Sequence, residues 1–141
     1  YSGCLTLKRW AGRQAGETAF FASVIATGSH RDSVCAVANG LADTAAIDHV
    51  SWCLAKRVEP TAQTLKVVAR TDDRPGLPLI TRPGHDTKTL ASFRSALDEA
   101  VTTLDPVSRN ALGITGFVPA YVHDYDVIDD DLQQFGTNAL C

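Results

Sequence analysis

The chain has 141 residues with 45% hydrophobic and 21% charged side chains, values that fit one domain with a real core and exclude disordered or collagen-like classes. The formal net charge of −3 comes without any basic stripe, which argues against nucleic acid as a partner. No apolar run is long enough to span a bilayer as a helix.

Tyr1 to about Gln14 carries Leu5, Leu7 and Trp10, and reads as a helix opening near Ser2-Gly3. Lys8, Arg9 and Arg13 lie toward its C-terminal end, where the helix dipole favours cations, and Gly12 and Gly16 mark that end. Phe20 and Phe21 are expected in the core, followed by Val24-Ile25-Ala26, short, apolar and partly β-branched, as a buried strand. After Thr27-Gly28-Ser29-His30, the residues Val34, Val37, Ala38 and Leu41 recur at helical spacing, with Asn39-Gly40 as the stop. Ala45-Ala46-Ile47 reads as a second buried strand ending in Asp48, and His49 to Arg57 as a helix that Asp48 caps and Glu59-Pro60 ends.

Leu65 to Thr71 is the most strand-like stretch, Asp72 to Pro78 is turn-rich, and Leu79-Ile80-Thr81 is a further short strand closed by Pro83-Gly84. From Asp86, the spacing of Leu90, Phe93, Leu97, Val101 and Leu104 predicts a long helix. A shorter helix starts at Asp105-Pro106, and an acidic one runs through Leu132 to Phe135. Strands alternating with helices predict an α/β fold with a mainly parallel sheet. The sequence opens at Tyr1 directly into a helical pattern and reads as a piece of a longer protein.

Cys4, Cys35, Cys53 and Cys141 form no C-x-x-C pair, so a zinc site is not expected. Cys35 and Cys53 read as buried free thiols, and sequence cannot assign a disulfide. His49, His85 and His123 with Asp124 or Asp126 match no metal-ligand spacing, and no cofactor is expected. Trp10 and Trp52 are expected in the core, and Tyr121 and Tyr125 there rather than at a cleft.

The informative polar group is Gly28-Ser29-His30, on a strand-to-helix turn, with Asp48 at the end of the next strand. A helix start offers unpaired N–H groups and a positive dipole end, which suit an anion. Gly28 permits close backbone approach, Ser29 supplies a hydroxyl, and His30 a ring donor. The bland alternative is that Ser29 or Ser33 caps one helix, Asp48 the next, and His30 lies on the surface. A Ser29/His30/Asp48 hydrolase is disfavoured: neighbouring Ser and His on one turn point apart, and there is no G-x-S-x-G elbow.

The ordered set Ser2-Gly3, Thr27-Gly28-Ser29-His30, Ala42 to Asp48, Pro75-Gly76-Leu77-Pro78, Gly116-Phe117 and Tyr121/Tyr125 resembles phosphate/phosphonate-binding proteins of ABC importers. The resemblance implies a type II periplasmic-binding-protein-like fold with an incomplete two-lobed architecture. Residues 1–84 would be the second lobe, and 85–141 the crossover and C-terminal helices returning to the first. It implies a periplasmic, non-enzymatic protein that binds phosphate, phosphonate or a related oxyanion between lobes and delivers it to a transporter permease. Ser2 and Gly3 match the end of a phosphonate-cradling loop, Ser29 and His30 a Gly-Ser-His turn, and Asp48 an acid that faces an ammonium in aminophosphonate binders. A second acid of those binders is replaced here by Leu77, which favours phosphate or a simple phosphonate. The alternative is an effector-binding domain of a regulator or an enzyme recruited from the same scaffold. A half-built cleft could also homodimerise over its exposed interlobe surface.

Overall fold

Local signals in the sequence are realised as helices with well-formed ends. The computed structural model describes residues 3–15 and 20–135. The chain forms two compact units, one running up to Arg74 and resuming at Asp126, the other from Pro75 to Tyr125.

In the first unit, α1 spans Cys4–Ala15, α2 His30–Ala38 and α3 His49–Val58, followed by a 3-10 turn over Pro60–Thr64. α2 begins at Ser29, whose side chain accepts from the Asp32 N–H, and ends at Asn39-Gly40. There Gly40 has φ +72 and its N–H bonds the Val37 carbonyl, while the Leu41 N–H reaches Ala36. That is a Schellman stop, in which the left-handed residue carries no Cβ. α3 opens on Asp48, which accepts from the Ser51 N–H. The core of this region is small: Val34, Ala55 and Ala62 are buried, with Ile47, Trp52 and Leu65 packed around them.

The second unit contains α4, Thr87–Thr103, and α5, Pro106–Leu112. Asp86 caps α4 through the Thr89 N–H, and Asp105 caps α5 through the N–H groups of Val107 and Ser108, with Pro106 in the first turn. Gly113, at φ +69, ends α5. A 3-10 turn at Val122–Tyr125 follows, and the Tyr125 hydroxyl donates to the Gly76 carbonyl at 3.0 Å.

α6, Asp126–Phe135, returns to the first unit and packs on α1. Gly12, expected to mark the end of α1, lies inside it: a Cβ there would stand 3.3 Å from the Phe135 ring, so the glycine makes room for α6. Arg9 is only 2% exposed and its Nη1 meets Asp72 Oδ2 at 2.8 Å. Its Nε faces Asp131 Oδ2 at 3.6 Å, an ion pair too long for a hydrogen bond. Arg74 closes on Asp131 with two bonds, at 2.8 and 3.2 Å.

The expected mainly parallel sheet, and with it the α/β class, is not formed: among the described residues there are helices and no strands. Val24–Ala26, Ala45–Ile47, Leu65–Thr71 and Leu79–Thr81 all run outside helices, and no backbone–backbone hydrogen bond joins one of them to another. A strand exists only when a neighbour lies about 4.8 Å away to take its N–H and C=O groups. Without one, the apolar side chains stay in solvent, Val68 at 75% and Ile80 at 87% exposure. Phe20 and Tyr121, expected in the core, are likewise exposed. Phe20 stacks edge-on between Trp10 and Phe21, and Tyr121 lies flat on His123. Cys4 is disulfide-bonded, and Cys35 and Cys53 are free thiols, half-buried rather than fully buried.

Asp131→Asn leaves Arg9 and Arg74 facing a neutral group, and should cost roughly 3 kcal/mol. Thermal unfolding should show a Tm lower by about 10 °C, whereas Arg13→Gln, at an exposed ion pair with Asp72, should cost under about 1 kcal/mol. Hydrogen bonds from Arg74 hold the Asp131 carboxyl below the usual carboxylate range, as those from Arg9 and Arg13 do for Asp72. A depressed carboxylate stabilises the fold above its unfolded pKa of about 3.9 and loses that contribution as pH falls through its folded value. Denaturation midpoints should therefore be flat above about pH 5 and fall below about pH 4, with a shallower fall in Asp131→Asn.

Candidate functional site

Three helix starts of the first unit come together, and the side chains singled out by the sequence sit on them. Gly3 immediately precedes α1, and its carbonyl accepts the Leu7 N–H at 3.1 Å. A Cβ added at Gly3 would stand 3.0 Å from the Ala46 carbonyl oxygen and 3.4 Å from His30 Cε1. The start of α1 is thus pressed against the segment before α3 and the first residue of α2, an approach that a Cβ would crowd.

The turn before α2 is fixed from both sides. Gly28 has φ +86, a conformation costly for other residues. The Thr27 hydroxyl donates to the Ser29 carbonyl at 3.1 Å and lies 2.6 Å from the Ser33 hydroxyl. Ser29 Oγ accepts the Asp32 N–H at 3.0 Å and donates to Asp32 Oδ2 at 2.7 Å. Its hydroxyl is therefore committed to Asp32, as the capping alternative foresaw.

His30, at the first position of α2, is not a surface residue. Its side chain is 26% exposed, and Nε2 lies 2.9 Å from Asp48 Oδ2. Asp48 in turn accepts the Ser51 N–H on Oδ1 at 2.9 Å, so one carboxylate both caps α3 and holds the imidazole. Partial burial pushes the Asp48 carboxyl up, but hydrogen bonds from Ser51, the His30 charge and the Val50 N–H outweigh it. The net result lies below the usual range, and Asp48 is ionised at neutral pH.

Gly3, His30 and Asp48 are thus in one place, with Ser29 adjoining; Ser2 lies outside the described residues. Sequence reasoning missed the direct His30–Asp48 pair and the close approach to Ala46. Their sole trace in the sequence is the glycine at position 3.

Three helix starts, an imidazole and a carboxylate are thus brought together in the first unit. The family model described as ABC transporter, phosphonate, periplasmic substrate-binding protein matches residues 1–125, and the chain belongs to that family. No curated protein and no solved structure gives a significant match. The family is one of transport solute-binding proteins rather than enzymes, and its periplasmic character implies an extracytoplasmic location.

Asp48→Ala removes both the cap of α3 and the partner of His30, and should destabilise the protein by about 1–2 kcal/mol. Asp48→Asn keeps a capping side chain and should cost less than half of that in urea unfolding.

Proposed function

We propose that this chain is the ligand-recognition part of a phosphonate-type importer. Its site takes phosphate, a phosphonate or a related small oxyanion, and delivery is to an ABC transporter permease. The observation that carries the reading is the His30 imidazole, held by Asp48 at 2.9 Å beside Gly3, where α1 and α2 both begin. An oxyanion there would meet two helix starts with their positive dipole ends, beside the imidazole, and charge-assisted bonds to it exceed neutral ones in strength. In this reading Ser2 and Gly3 cradle the oxyanion and His30 contacts it. Ser29 contributes through the turn it fixes, and Asp48 completes the site. Commitment of the Ser29 hydroxyl to Asp32 supports binding over nucleophilic catalysis, which needs a serine bonded to its base.

The test is thermal unfolding of the full chain with phosphate, methylphosphonate, 2-aminoethylphosphonate and sulfate. A ligand at about 100 times its Kd adds about 2.7 kcal/mol, which raises Tm by several degrees. At least one oxyanion should give that shift in the parent and lose it in His30→Ala. No shift with any of them removes oxyanion binding as the function.

A further inference from the structure

α3 carries a nitrogen and a sulfur ligand four residues apart, a spacing distinct from the His and Asp combinations that match no metal-ligand pattern. His49 is its first residue and Cys53 its fifth. Side chains at i and i+4 of a helix lie one above the other on the same face. His49 Nε2 and Cys53 Sγ are accordingly 3.6 Å apart. His49 is exposed, and Cys53 is a half-buried free thiol. Both donor atoms thus meet on a part of the helix that solvent reaches.

Their separation is that of two ligands on one ion. In a tetrahedral centre with Zn–N of about 2.0–2.1 Å and Zn–S of about 2.3 Å, the two ligand atoms stand about 3.6 Å apart. The pair has this bite already, set by the helical backbone, and small rotations of the two side chains admit a cation. Ligand chemistry then chooses the metal. Thiolate and imidazole suit Zn2+ and its borderline-soft neighbours, whereas Mg2+ and Ca2+ take oxygen ligands. On binding, the cation takes the place of the thiol proton, which passes to solvent. Among the described residues no third His, Cys, Asp or Glu joins the pair, so water fills the remaining positions.

We propose that His49 Nε2 and Cys53 Sγ form a two-ligand site for a borderline-soft divalent cation of the zinc class, open to water on its other side. An ion held there ties the first turn of α3 to the second, next to the cap that Asp48 supplies. The folded helix holds the two ligands together and the unfolded chain does not, so the ion stabilises the protein. Neither side chain takes part in the oxyanion reading, and the two sites stand or fall separately.

The test is titration of the full chain with Co2+ and Zn2+. Co2+ should give a sulfur-to-cobalt charge-transfer band that saturates at one ion per chain and is displaced by Zn2+. Cys53→Ser should abolish the band, while Cys35→Ser, at the other free thiol, should leave it unchanged. In calorimetry His49→Gln should weaken Zn2+ binding at least tenfold, because an amide does not replace imidazole as a zinc ligand. Zn2+ at about 100 times its Kd should raise the Tm of the parent by several degrees and leave those of His49→Gln and Cys53→Ser unmoved. Without metal both variants should melt close to the parent, since one alters an exposed side chain and the other exchanges sulfur for oxygen. A readout that needs no variant is alkylation of the parent: Zn2+ should protect Cys53 from a maleimide and leave Cys35 as reactive as before.

Absence of Co2+ and Zn2+ binding by the parent overturns the proposal. So does a charge-transfer band that survives Cys53→Ser or disappears in Cys35→Ser, or a Zn2+ affinity that His49→Gln leaves unchanged. Alkylation of Cys53 at one rate with and without Zn2+ overturns it as well.

Discussion

The first unit is tied together by a guanidinium that it almost completely encloses. Arg9, on α1, is 2% exposed yet carries a full charge, which would be prohibitive in an uncompensated interior. It is tolerated because Asp72 from the segment after the core and Asp131 from α6 approach it from two sequence-distant places. Arg74 and Arg13 complete the neutralisation, one on each carboxylate. α1, the 72–74 segment and α6 are thereby fastened to one another by charge, alongside apolar contacts such as Phe135 over Gly12. With α1 held, its N-terminal end is held as well, and that is the end that faces His30.

The candidate site is economical in its use of polar groups. The same Ser29 that caps α2 fixes the turn that presents His30, and the same Asp48 that caps α3 holds the imidazole. Capping satisfies helix N–H groups that would otherwise be orphaned, so these residues stabilise the fold whether or not a ligand is present. In the proposed reading, stability and recognition therefore overlap at Asp48.

What could be read from the sequence alone was whatever a few consecutive residues determine. Caps at Ser29 and Asp48, the helix beginnings at Asp86 and Asp105-Pro106, the stop at Asn39-Gly40, and the apolar spacing of α4 all act within one or two helical turns. Each therefore leaves a local mark. The family was legible for a related reason, since its ordered short motifs recur along the chain in this sequence. Tertiary structure decided what depends on distant segments meeting. The β-branched runs at Val24–Ala26 and Leu65–Thr71 have the composition of strands, but composition cannot supply the neighbour that pairs their backbone, and no sheet forms among the described residues. Nor could periodicity show that Gly12 lies under Phe135, that Arg9 is buried between two aspartates, or that Asp48 reaches across to His30. These are contacts between separate elements, set by how helices pack and where opposite charges can meet.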